Sequence, residues 1–140
     1  MRHKAFTLVE VLIVVVILGV LASIVVPQFA SATSQTQEVA TLEQLTHLRR
    51  ALAVYTVRNN SASPAINSGD GTWAELLSAD YLRMGAPANG WIGGPHARDI
   101  IIRTTPDTAY HRNYGWIYDP ATGNIWAAAF DDADKPFPQP

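Results

Sequence analysis

The chain has no cysteine, so neither a disulfide framework nor a thiolate metal site can be built, and the redox compartment is not legible. Charge is also scarce: Asp, Glu, Lys and Arg make up 16% of the 140 residues, and none falls within residues 11–37. No Lys or Arg stands between Lys4 and Arg49, and the formal balance is −2. A slightly acidic chain is a poor default binder of nucleic acid. G-x-S-x-G, P-loop and dinucleotide fingerprints are all missing. His47, His96 and His111 are scattered without ligand spacing, which argues against zinc. Taken together, these absences point away from an enzyme.

What is present is a hydrophobic stalk followed by a polar head. Val11–Val26 is nearly pure Val, Ile and Leu, interrupted by Gly19, Ala22 and Ser23; with Phe6, Leu8 and Val9 it reaches spanning length. About 20 helical residues cross a hydrocarbon core of about 30 Å. Apolar residues occupy every angular position, so the segment must be buried in lipid, in other subunits, or in both. Arg2 and Lys4 precede the run, and the positive-inside rule puts the amino terminus in the cytoplasm.

Glu10 stands at the front edge of this run. A carboxylate at a helix centre in lipid costs about 2.5–3.5 kcal/mol, so it needs a partner and a use. A cleaved secretory signal with its site at Ala30-Ser31-Ala32 gives it none, and a plain uncleaved anchor gives it none. A cut between Ala5 and Phe6 creates an α-amine one helical turn before Glu10. Ammonium and carboxylate then offset part of each other's burial cost, within one chain or between neighbours, and the second arrangement fixes a stagger between subunits.

KAFTLVEVLIVVVILGVLASIVVPQF resembles the class III signal and first helix of type IV pilins and type II secretion pseudopilins. The resemblance implies removal of a leader (residues 1–5) by a prepilin peptidase, N-methylation of Phe6, an assembly role for Glu10, and helix-loosening positions at Gly19 and Pro27. Ala5 departs from the glycine usual before the cut. Loss of Arg2 and Lys4 with the leader leaves 8 basic against 12 acidic side chains. The order that follows is a hydrophobic transmembrane and assembly helix (residues 6–32), its amphipathic second half (33–58) and a globular head (59–140).

In the second half, Val39, Leu42, Leu45, Leu48, Leu52 and Tyr55 recur at spacings of three and four and predict an apolar stripe packed on the head. Pro27 lacks a donor and is expected to kink or open the helix, helped by Gly19. Residues 59–71, NNSASPAINSGDG, end it. Thr72 and Glu75 form a T-x-x-E capping box that opens a short helix through Leu82. Residues 85–95, rich in Gly and Pro, read as an ordered loop because they contain Trp91 and Ile92. Asp99–Thr105 reads as a strand, and Tyr114–Tyr118 with Asn124–Ala128 as a hairpin around Asp119-Pro120-Ala121-Thr122-Gly123. Trp116 and Trp126 are expected to pack across the paired strands. The fold class is α+β and pilin-like: one long amino-terminal helix against a small carboxy-terminal antiparallel sheet.

Asp131, Asp132 and Asp134 form an oxygen-rich cluster, and the resemblance implies weak calcium candidates, since some pseudopilins bind calcium in the head. The cluster lacks the EF-hand pattern and lies in a Pro-rich tail, KPFPQP, which favours a solvated terminus; no other cofactor is expected. The tail itself either covers a sheet edge or stays mobile.

The resemblance implies a structural subunit anchored in the bacterial cytoplasmic membrane, contacting its lipids, and polymerised with copies of itself into a helical filament by a pilus or type II secretion machinery. The filament is then periplasmic or extracellular. The alternatives are a pseudopilin that drives protein export and a membrane-tethered binding module that never polymerises.

Overall fold

A computed structural model describes residues 7–66, 73, 76, 81–82 and 85–140. Its elements are α1 (Leu8–Arg58), β1 (Ile100–Ile102), β2 (Trp116–Asp119) and β3 (Asn124–Ala127). The chain divides into two compact units, one ending at Thr36 and the other running Gln37–Pro140. The second half of α1 thus belongs with the head. The expected capping box of Thr72 and Glu75, with most of its short helix, lies outside the described residues.

Helix α1 passes through Gly19 and Pro27 without a break. It stops at Arg58 because Asn60 adopts a positive φ of 52°, a conformation Asn tolerates. The Ser61 N–H then turns back to the Thr56 carbonyl at 2.8 Å, the 6→1 bond of a Schellman cap.

Leu45, Leu48, Leu52 and Tyr55 are buried as the stripe predicts. Val39 is a correction, being 64% exposed. Each step of three residues turns the face by about 60°, so the series Val39, Leu42, Leu45, Leu48 winds half way round the helix. Thr41 is buried in its place. Its hydroxyl donates to the Gln37 carbonyl at 2.8 Å and accepts the Trp91 N–H at 3.0 Å.

The sheet has the order β1-β2-β3 and is mixed. β2 and β3 form the expected antiparallel hairpin, with Asp119 opposite Asn124 and Ile117 opposite Trp126. Its turn uses the predicted chemistry: Asp119 accepts from Ala121 N–H and the Thr122 hydroxyl, and Gly123 has φ 76°. β1, in contrast, runs parallel to β2, so the sheet is not wholly antiparallel. The connection of residues 103–115 is long enough to carry the chain back to its starting end, which parallel pairing requires. Gly115 permits it, because a Cβ there would overlap the Ala97 carbonyl.

Register also corrects the tryptophans. Trp116 sits opposite Ala127 and Trp126 opposite Ile117, so the two rings point to opposite faces. Trp116 instead meets Trp73 edge-on, with centroids 6.2 Å apart. One continuous core joins these strands to Trp73, Leu76, Ile92 and the helix stripe. The tail covers this region rather than hanging free: Phe130 bridges Pro136, and Phe137 N–H donates to the Ala129 carbonyl.

Asn89, fully buried in the 85–95 loop, ties these layers together. Its amide donates to the Gly115 and Ala128 carbonyls at 2.9 and 3.0 Å, and its oxygen accepts from Trp91 N–H at 2.9 Å. Substituting Asn89→Ala strands several buried backbone groups, each costing about 1–3 kcal/mol. The detergent-solubilised variant should unfold at a clearly lower temperature, by about 3 kcal/mol or more, in thermal melts followed by tryptophan fluorescence.

Candidate functional site

The amino-terminal end of α1 is capped by its own side chains. Thr7 is the residue before the helix; its hydroxyl accepts the Glu10 N–H at 3.2 Å. Glu10 reaches back, its carboxylate accepting from the Thr7 N–H at 3.3 Å and the Thr7 hydroxyl at 3.2 Å. This is a reciprocal capping box, T-x-x-E, with the carboxylate at the positive end of the helix dipole. Thr7 was missed by sequence reasoning, although the same T-x-x-E pattern recognised at Thr72 is legible at Thr7. Ala5 and Phe6, the expected cleavage pair, lie outside the described residues.

Beyond the cap, the helix presents its apolar side chains outward. Leu8, Val9 and the described large apolar residues from Val11 to Phe29 are all exposed. By length and composition this segment can cross a membrane. Gly19 lies in open space, with no contact to a Cβ built on it. Ser23 bonds the Val20 carbonyl at 2.7 Å, one turn before Pro27.

The three aspartates of the tail have separate attachments. Asp134 takes a bidentate pair from Arg49 at 2.6 and 2.9 Å, Asp132 accepts from the Trp126 indole at 3.2 Å, and Asp131 accepts from Ala133 and Lys135 N–H groups. Among the described residues, no group of three His, Cys, Asp or Glu side chains is arranged to hold a metal ion. The histidines are likewise dispersed, His47 by Glu43, His96 by Asp99 and His111 by Asp107.

Among the described residues, Asp107 is the most heavily engaged ionisable group of the head. Almost completely buried, it accepts from Ala129 N–H at 2.8 Å, the Tyr114 hydroxyl at 2.7 Å and His111 at 2.6 Å, and pairs with Arg103. Burial acts to raise its pKa, but the hydrogen bonds from Ala129, Arg103 and Tyr114 and the charge of His111 outweigh it and hold the carboxyl below its ordinary range. Burial, followed by the bond to Asp107, pushes Tyr114 up to about 12. The hub fastens the connection between β1 and β2 to Ala129, a residue with φ 63°.

Comparison with known proteins matches this architecture. Residues 1–26 fit the prokaryotic N-terminal methylation motif. Over 122 residues the chain is 31% identical to the type II secretion system core protein G of Escherichia coli, covering 76% of this chain and 83% of that protein. It is 41% identical over 98 residues to the type IV narrow pilus major component of Thermus thermophilus, covering 64% and 84%. With the core protein G of Klebsiella pneumoniae the identity is 34%, over 65% of this chain and 64% of that protein, just under two thirds of its length. No solved structure matches. The long apolar helix, small sheet and methylation motif define a pilin-like protein. The chain belongs to the family of type IV pilins and type II secretion pseudopilins.

The depressed Asp107 carboxyl contributes stability that is fully present above its unfolded pKa of about 3.9 and is lost as pH falls through the folded value. Raised Tyr114 contributes stability present below about pH 10 and lost as pH climbs toward 12. Thermal stability of the full chain should therefore fall on both sides. Asp107→Asn should flatten the acid limb while lowering the plateau; an unchanged acid limb would refute the assignment.

Proposed function

We propose that this chain is the structural subunit of a type IV pilus-like filament. The observation that carries the reading is the apolar surface of α1 from Leu8 to Phe29, exposed on all sides and headed by a single carboxylate. Such a surface has two stable destinations, lipid before assembly and neighbouring helices afterwards. The chain is first held in the cytoplasmic membrane with its amino terminus inside and its head outside. A prepilin peptidase cuts between Ala5 and Phe6, and Phe6 is N-methylated. The new amine then becomes available to Glu10 of a neighbour, while apolar helix packing drives polymerisation. Gly19 and Pro27 let the helix adjust, and the subunit performs no catalysis.

In the membrane-held chain, Thr7 supplies Glu10 with two donors. The capping box thus lowers the cost of carrying the carboxylate until the amine exists. The calcium candidates Asp131, Asp132 and Asp134 have no part in this mechanism.

A second reading has its own support: a type II secretion pseudopilin, whose filament moves secreted proteins. The similarity to core protein G spans the greater part of both chains. Filament length and the neighbouring genes separate the two.

Intact mass and amino-terminal sequencing of the mature protein should give a methylated Phe6. Thr33 as the first residue would instead establish a cleaved secretory signal. Glu10→Ala should insert normally yet lower the yield of sheared filaments at least about tenfold, since stranding one member of a buried pair costs about 3–5 kcal/mol. Normal yield and unchanged subunit rise from this variant would remove Glu10 from assembly.

A further inference from the structure

The two flanks of the head differ in charge at the same level of α1. At about 100° per residue, Leu48 faces the core, His47 and Arg50 lie toward one flank, and Arg49 lies toward the other. On the Arg50 side an open groove of about 670 Å³ has an apolar floor that includes Ala51, Val54 and Pro87. Among the described residues, Arg50 and Arg98 line it and no Asp or Glu does. Glu43 stands nearby, 3.9 Å from His47. Arg98 is fastened to the Ala86 carbonyl, whereas Arg50 makes no hydrogen bond or ion pair among the described residues.

On the opposite flank, the bidentate pair with Arg49 seats the turn of residues 131–135 against the helix, one residue from the level of Arg50. Of the three carboxylates there, Asp134 alone is ion-paired among the described residues, with Arg49, and Asp131 accepts from the Ala133 and Lys135 N–H groups. Asp132 is exposed, and its bond to the Trp126 indole uses one oxygen.

We propose that the Arg50 groove of one head receives the Asp131–Asp134 corner of a second copy. This rests on the filament reading, in which the helices of neighbouring subunits run parallel. Heads on parallel helices meet flank to flank, so a basic flank meets the acidic flank of the next copy. Such a contact uses two different patches and is heterologous, and it repeats along an open helix rather than closing on a dimer. Rim charges of this kind contribute more to orientation and to rejecting wrong pairings than to affinity. Apolar packing of α1 supplies the drive, and the flank contact selects which side of each head meets its neighbour.

Because the chain has no cysteine, the contact can be trapped cleanly. Full-length R50C/D132C, assembled in cells and treated with a short bismaleimide, should give a ladder of dimers, trimers and larger species from sheared filaments. Each single variant should run as monomer. Filaments that yield only monomer from the double variant would overturn the proposal while leaving the filament reading intact. If the unmodified chain forms no filaments, both fall.

A charge exchange guards against local misfolding. Arg50→Glu and Asp132→Arg should each lower filament yield about tenfold, since like charges then face each other. The combined exchange should restore yield to within about threefold, with unchanged thermal unfolding of each variant. Failure of the exchange to rescue assembly by folded variants would also overturn the contact.

Discussion

The surface of α1 between Leu8 and Phe29 cannot remain in water, and the rest of the molecule is organised around that constraint. Its apolar side chains point in all directions, so no folding of the head over one face could cover them. The covering has to come from outside the chain. Lipid and the helices of other copies are chemically equivalent hosts, which is why one segment serves as anchor and as assembly surface. Glu10 is where that equivalence breaks down: a carboxylate distinguishes an environment that supplies donors from one that does not. Thr7 supplies them locally, and in the proposed filament a processed neighbour would supply a full positive charge.

The head must hold its shape without covalent cross-links, and it does so by saturating a few buried polar groups. Asn89 uses donors and acceptor together to fasten the 85–95 loop to the strands. Asp107 gathers a backbone amide, a hydroxyl, an imidazole and a guanidinium. Arg49 closes the tail onto the helix. In a low-dielectric interior such groups are costly when unmet, so each one specifies a single arrangement of the loops around it. Polar satisfaction of this kind does for the carboxy-terminal region what a disulfide could do in a chain with cysteine.

The family was legible from residues 4–29, because membrane insertion acts on local composition and the motif is contiguous. The hairpin turn was legible for the same reason: Asp119, Pro120 and Gly123 each act on backbone within a few residues. The pairing of Trp116 was not, since strand register decides which face a side chain takes and a shift of one residue reverses it. Nor was the exposure of Val39, where spacings of three mimic a stripe until the helical twist is summed. Asp107 gave no sequence signal: Arg103, His111 and Tyr114 are near it in the chain, but their convergence on its carboxylate together with the Ala129 N–H depends on how the connection folds. Thr7 was within reach and was overlooked.

Sequence alone determined the apolar helix, the lone carboxylate at its edge, the second-half stripe and the turn between the last strands. All of these depend on neighbours along the chain or on periodicity. Tertiary structure decided the parallel placement of β1, the partners of the tryptophans, the polar hubs at Asn89 and Asp107, and the seating of the acidic tail on Arg49. Those depend on which segments meet, and composition and spacing do not encode which loop closes against which strand.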